Sequence, residues 1–374
     1  MRTRETFLEP ILLPTPLPAD GPLPHRKLIR SWLLPFSRRR TAYALLLVAQ
    51  DLLLFASAIV ATVWIQSVQI KILFGLAGGF LIGRLFILGH DACHQSFTEH
   101  RKLNAWIGRV VFLPSLTPYS LWETGHNVVH HGYTGLKGFD FVWQPLSFKE
   151  YQALPAWRRV LERVYRSGWA PGLYYLVEVW WLRMYFPRRE RLPARRSIFR
   201  WDCLLVSAAA LVWITALAVA ARSTGQSVLL LVGVGFIVPF MFWNAMIGFV
   251  VYVHHTHTDV AWHAEKAAWS RAQPFVSTTV HLKFRRWFGL DIGALLHHIT
   301  EHTAHHVDMG IPLYGLRPAQ ALLERLLPGR IVVQDFSWRW YFDTARRTKL
   351  YDFRAQRWTD FRGRPTSGPA NRGS

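Results

Sequence analysis

Seventeen of the 374 residues are histidine, and thirteen of these fall into a few tight groups. Box one is His90-Asp91-Ala92-Cys93-His94, an H-x3-H. Box two is His126-Asn127-Val128-Val129-His130-His131, an H-x3-H-H. Box three is His302-Thr303-Ala304-His305-His306, an H-x2-H-H. His254, His255 and His257 directly follow a long apolar run, and His297 and His298 stand just ahead of box three. Helical residues three or four apart share a face, so each box can aim two imidazoles at one point. Imidazole suits Fe, Zn and Cu. Eight or more histidines are too many for one tetrahedral zinc, and they suit two metals with positions left open for oxygen.

The carboxylates near the boxes are few. Asp91, Asp140, Glu301 and Asp308 fit as partners that orient ligand imidazoles, with a direct ligand role open to Asp91 or Glu301. A lone H-x3-H often only hydrogen-bonds, and histidine-rich storage loops usually read as low-complexity tracts. These boxes lie in aromatic, apolar sequence, and there are three of them. No CxxC pair is present, so a cysteine-based zinc or iron–sulfur site within this chain is excluded. Cys93 and Cys203 form no disulfide framework and suit a reducing compartment.

The elements that must carry the boxes are apolar. Hydrophobic residues make up 51% of the chain, there are 18 Trp, and the formal charge is +21. Basicity alone could mean nucleic-acid binding, but long apolar runs point to a bilayer, with basic loops and interfacial aromatics. The runs are Tyr43 to Ile65, broken by Gln50 and Asp51, and Val68 to Leu88, with Lys71 and Arg84 inside it. Leu204 to Ala221 and Val228 to Val253 form a second pair. The runs can cross a core about 30 Å thick at about 1.5 Å per residue. Short links make each pair a helical hairpin. Segments 105–121 and 172–186 read as interfacial or re-entrant amphipathic helices.

Orientation follows from Lys and Arg beside the spans. Segments 26–40 and 188–200 carry six each, against about one per hairpin turn. The basic segments, and with them 89–200 and 254–374, are therefore expected on the cytoplasmic side. The first forty residues are Pro-rich and basic without the apolar stretch of a cleavable signal peptide. Residues 1–40 are expected to be a leader, and the end of the chain from about Arg362 to be disordered.

With these motifs in this order, the sequence resembles the membrane fatty acid desaturase superfamily over about residues 40–325. Gly89-His90-Asp91, Trp122, Trp262 and Ile311-Pro312-Leu313-Tyr314 agree, the last with acyl-lipid desaturases. Box two has H-x3 where many members have H-x2. The resemblance implies an all-α integral membrane fold of about four transmembrane helices in two hairpins, with a cytosolic helical cap holding a di-iron site. It implies a desaturase domain over 41–325 and a cytosolic extension over 326–374. His90, His94, His126, His130, His131, His302, His305 and His306 are then the iron ligands, with His297 a further one. His254, His255, His257, His298, Asp91 and Glu301 are additional ligands or their hydrogen-bond partners. Two non-haem irons and O2 are the implied cofactors, and a fatty acyl lipid is the substrate. No His-Pro-Gly-Gly motif of a fused cytochrome b5 domain is present, so a separate donor such as a ferredoxin is expected. The location is a membrane, the plasma (inner) membrane if the source is bacterial. Trp122, Trp143 and Trp243 are candidates for shaping an acyl tunnel. The alternatives are a lipid or carotenoid hydroxylase or ketolase on the same centre, and a membrane metal-handling protein. The latter predicts histidines inside the spans, where the sequence has them only at the cytoplasmic ends.

Overall fold

The structure is a computed structural model that describes residues 15–18, 22–192, 194, 196–272, 274–284 and 291–370. Leu13-Pro14, most of the Pro-rich leader, and Arg195 lie outside them. The first helices are α1 (Arg26–Leu33), α2 (Thr41–Trp64), α3 (Val68–Cys93), α4 (Arg101–Phe112) and α5 (Tyr119–Thr124). Past the short helices Phe148–Ala153 and Ala156–Tyr165 and the π-helix Tyr175–Met184 come α6 (Ile198–Ser223), α7 (Val228–His255), α8 (Lys266–Ala272), α9 (His302–Val307), α10 (Leu313–Leu326) and α11 (Trp338–Arg347). Among the described residues, only two small two-stranded sheets interrupt this. β1 (Val280–Lys283) pairs in parallel with β2 (Val332–Asp335), and β3 (Leu350–Asp352) antiparallel with β4 (Arg357–Thr359).

Among the described residues, four helices, α2, α3, α6 and α7, are long and apolar enough to cross a membrane. Their starts and turns are sequence-encoded. Ser67 caps α3 by accepting from the Ile70 amide, and Ser227 caps α7 by accepting from the Leu230 amide, which satisfies amides that a helix start leaves without partners. The two turns are tied together by Lys71. This buried ammonium donates to the Thr62 carbonyl at 2.8 Å and to the Gln226 side chain, which in turn donates to the Val63 carbonyl at 2.7 Å.

Helix α3 is the axis of the bundle. Gly75, Gly79 and Gly83 recur every fourth residue and form a small-residue ridge against α7. A Cβ on Gly75 would lie 2.5 Å from the Val234 carbonyl oxygen, and one on Gly79 2.7 Å from that of Pro239. Backbones approach this closely only where side chains are missing, as in membrane helix pairs generally. Asp51 and Arg84, which break their apolar runs, resolve as a buried pair. The guanidinium donates to Asp51 at 2.8 and 3.1 Å and to the Leu295 carbonyl.

The segments 105–121 and 172–186 are broken helices. Helix α4 stops at Phe112 and α5 starts after Pro118, while Tyr175–Met184 is π-helical. Of the stretch after Arg362 expected to be disordered, residues 363–370 are described and 371–374 lie outside the described residues. Thr366 donates to the Trp358 carbonyl at 3.0 Å, Ala370 donates to that of Gln356 at 2.7 Å, and Ala370 is buried. Backbone pairing onto β4 supplies the order that the small polar side chains could not.

Candidate metal centre

The eight box histidines and His255 all sit at one end of α3 and α7 and are buried. They form two clusters, in each of which the ligand atoms lie within 4.8 Å of one another. One is His90, His94, His126, His131 and His305; the other is His130, His255, His302 and His306. The last turn of α3 supplies His90 and its C-cap residue His94, the end of α7 supplies His255, and α9 supplies box three.

Box two uses an unusual backbone. Gly125–His130 is π-helical, and the His131 amide donates to the His126 carbonyl, five residues back. In this wider turn residues i and i+5 share a face, so His126 pairs with His131 at 3.1 Å between Nε2 atoms. An α-helix would have paired His126 with His130. π-bulges are characteristic of functional sites, and this one absorbs the extra residue of the H-x3-H-H spacing. As a result, the neighbours His130 and His131 point into different clusters, as do His305 and His306.

The nitrogen positions test whether these rings fit metals. In the first cluster the Nε2–Nε2 distances are 3.3 Å for His90–His94, 2.8 Å for His90–His126, 3.1 Å for His126–His131 and 3.1 Å for His131–His305. In the second, His302 Nε2 is 2.9 Å from His255 Nε2. A neutral imidazole nitrogen is either a donor or an acceptor, so His90, His126 and His131, each meeting two others through one atom, cannot satisfy both by ordinary hydrogen bonds. Lone pairs turned to a common centre are the arrangement of a ligand set. Imidazoles about 2.0–2.1 Å from one ion stand about 3 Å apart in adjacent positions. The clusters therefore fit a metal ion each.

Burial first, then neighbouring imidazoles, hold His94, His126, His131, His302, His305 and His306 well below the ordinary histidine value of 6.5. The rings are therefore neutral at pH 7, the form that binds metal. Asp140 orients His130: its Oδ1 faces His130 Nδ1 at 2.9 Å, and the carboxylate accepts from the amides of Gly135 and Val142. Thr134 Oγ1 lies 3.2 Å from His306 Nδ1, a partner that spacing gave no reason to single out. Arg26 donates to the carbonyls of His306 and Val307, so part of the N-terminal basic stretch clamps the C-terminal end of box three, where a cation is favoured.

Other expected residues are placed elsewhere. His297, expected as a ligand, faces away from both clusters and meets Asp51 Oδ2 at 2.7 Å through its Nε2. Consecutive left-handed residues, His297 at φ 49° and His298 at φ 58°, turn the chain there. His298 pairs with Glu301, which also accepts from Thr300. Asp91 accepts from the Leu313 amide at 2.6 Å and Asp308 pairs with Arg30; neither they nor Glu301 join a cluster. His254 stacks on His302 with centroids 4.2 Å apart, and His257 contacts Gln334. Cys93 and Cys203 are free thiols.

A narrow apolar slot has histidines of both clusters in its lining. Phe86, Ile87, Val179, Met246, Val250 and Ile299 are among its walls, and His90, His126, His130, His255 and His302 lie at its polar end. Trp122 lines it and stacks on His126 at 4.8 Å, whereas Trp143 and Trp243 are packed in the core behind.

A family model described as fatty acid desaturase matches residues 64–338. Similar relatives include an sn-1 oleoyl-lipid 12-desaturase from Arthrospira platensis, 28% identical over 268 residues, which are 70% of each chain. An sn-1 oleoyl-lipid 12-desaturase from Synechocystis sp. is 26% identical over 71% of this chain and 72% of its own. A chloroplastic omega-6 fatty acid desaturase from Spinacia oleracea is 26% identical over 73% of this chain and 58% of its own.

Proposed function

The chain belongs to the fatty acid desaturase family and is an oxidoreductase of that class, and from that premise we propose that it introduces a double bond into the acyl chain of a membrane lipid, using two irons and O2. The observation that carries this reading is the apolar slot whose lining includes histidines of both clusters. Such a slot takes an unbranched hydrocarbon and sets one part of it against the metal centre.

His90, His94, His126, His131 and His305 would hold one iron, and His130, His255, His302 and His306 the other. The irons when bound supply the oxidising power to remove hydrogen from an unactivated methylene pair. The chain's own contribution is positioning. Phe86, Ile87, Val179 and Ile299 exclude water from the slot, and Trp122 fixes the His126 ring by stacking. Asp140 holds His130 in the tautomer protonated on Nδ1, which leaves Nε2 free as the donor atom.

We place α2, α3, α6 and α7 across the bilayer with the histidine end in the cytoplasm. Arg26 and Arg30 of the N-terminal basic stretch bind box three and Asp308, so one of the basic segments that set orientation lies at the histidine end. Electrons would come from a separate carrier protein such as a ferredoxin. The test is lipid analysis of a host expressing the protein together with a ferredoxin system. A new double bond in the acyl chains is expected; a hydroxyl or keto product, or lipids unchanged beside a metal-loaded protein, would overturn the reading.

A further inference from the structure

Desaturation as proposed above is balanced as R–CH2–CH2–R′ + O2 + 2 e⁻ + 2 H⁺ → R–CH=CH–R′ + 2 H2O. The substrate supplies two of the four electrons that O2 takes up, and two must arrive from outside. Two separate routes join the second histidine cluster to one place on the surface.

The first route is the backbone itself. His255 belongs to the cluster, Thr256 is fully buried, and His257 lines a groove of about 980 Å³. The second runs through side chains. His306 Nδ1 is 3.2 Å from Thr134 Oγ1, and the Thr134 carbonyl accepts from Trp269 Nε1 at 2.9 Å. Trp269 sits on α8, whose Ala268, Arg271 and Ala272 line the same groove. The walls also carry Arg330 and Arg354 against a single carboxylate, Asp259. The groove is thus basic, open, and bonded from two directions to the metal-binding histidines.

We propose that this groove docks a small acidic one-electron carrier protein, which visits twice per turnover. The inference rests on the desaturase reading for its electron demand, and on charge complementarity for its partner. Charges at an interface rim act mainly on association rate and its salt dependence.

The test compares the metal-loaded wild-type protein in lipid nanodiscs with the Arg271→Glu/Arg354→Glu double variant. Arg271 and Arg354 are exposed and lie outside both clusters. Binding of an acidic [2Fe–2S] ferredoxin is titrated directly, and product formation is followed against ferredoxin concentration. The expected result is an affinity loss of about tenfold or more and a matching rise in KM for ferredoxin, with a flatter salt dependence. Iron content, and single-turnover product formation driven by dithionite, should stay unchanged. Unaltered ferredoxin affinity in the variant would overturn the proposal, as would a loss of affinity only for anionic lipid vesicles. Wild-type protein that makes no double bond even with dithionite would instead defeat the desaturase reading, while the ferredoxin titration would still judge the groove.

Discussion

The inner helices α3 and α7 and the outer helices α2 and α6 are equally apolar but differ in what surrounds them. In their most hydrophobic stretches α3 is 61% and α7 44% buried within the protein, against 22% for α2 and 17% for α6. The inner pair carries the glycine ridge, the slot walls and the ends that bear His90, His94 and His255. The outer pair exposes bulky residues such as Leu54, Leu211 and Val212. Apolarity therefore fixes how many helices can cross a bilayer, and small residues and terminal histidines decide which of them build the site.

That contrast can be broken at several levels. The largest effect is expected at the inner ends: His130→Ala or His305→Ala should abolish turnover and lower bound iron while the protein still inserts in the membrane. His100→Ala, outside both clusters, should do neither. Product analysis with metal quantification checks this, and retained turnover in either cluster variant would remove the metal assignment.

Acid should act next. In the unfolded chain these histidines take up protons near 6.5, while burial keeps His126, His131, His302, His305 and His306 neutral in the fold. The unfolded state therefore binds more protons as pH falls, so the stability they contribute is present above pH 6.5 and is lost on going lower. Metal-depleted protein should show a falling unfolding temperature between about pH 7 and about pH 5; a constant one would contradict the burial of neutral rings.

Asp51→Leu, which severs the ion pair joining outer α2 to inner α3, should cost about 3–5 kcal/mol by leaving Arg84 buried and unpaired. Adding Arg84→Met should recover much of that loss in thermal unfolding, and a double variant no better than the single would show that the pair is not the cause. Gly79→Leu, forced against the Pro239 carbonyl, should cost about 1–3 kcal/mol. Leu211→Ala on exposed α6 should change stability by less than about 0.5 kcal/mol. Equal losses for these two would erase the distinction between inner and outer helices.

Much of this was legible in the sequence because it depends on local pattern. The four apolar runs match the four long helices, and all eight box histidines enter the clusters. His255 was visible only as one of a group of three, since nothing local says which ring the end of α7 turns inward. His297, five residues before His302, was expected as a ligand from the resemblance to acyl-lipid desaturases. Two left-handed residues and the Asp51–Arg84 pair direct it elsewhere, and neither can be inferred from spacing. The partition of box two was hidden for a similar reason: an H-x3-H-H motif read on an ordinary helix pairs His126 with His130, and only the π-helical turn reassigns it to His131. Thr134 escaped notice because a hydroxyl between a turn and an imidazole leaves no periodic trace.

The divided neighbours, His130 beside His131 and His305 beside His306, couple the two clusters mechanically. One peptide unit separates each pair, so fixing a ring in one cluster also fixes the backbone that aims a ring into the other. Occupancy of the clusters should then be cooperative: during stepwise iron addition, empty and doubly loaded protein should dominate and singly loaded protein should be scarce. Native mass spectrometry along such a titration would read this directly, and a large singly loaded population would show that the clusters fill independently.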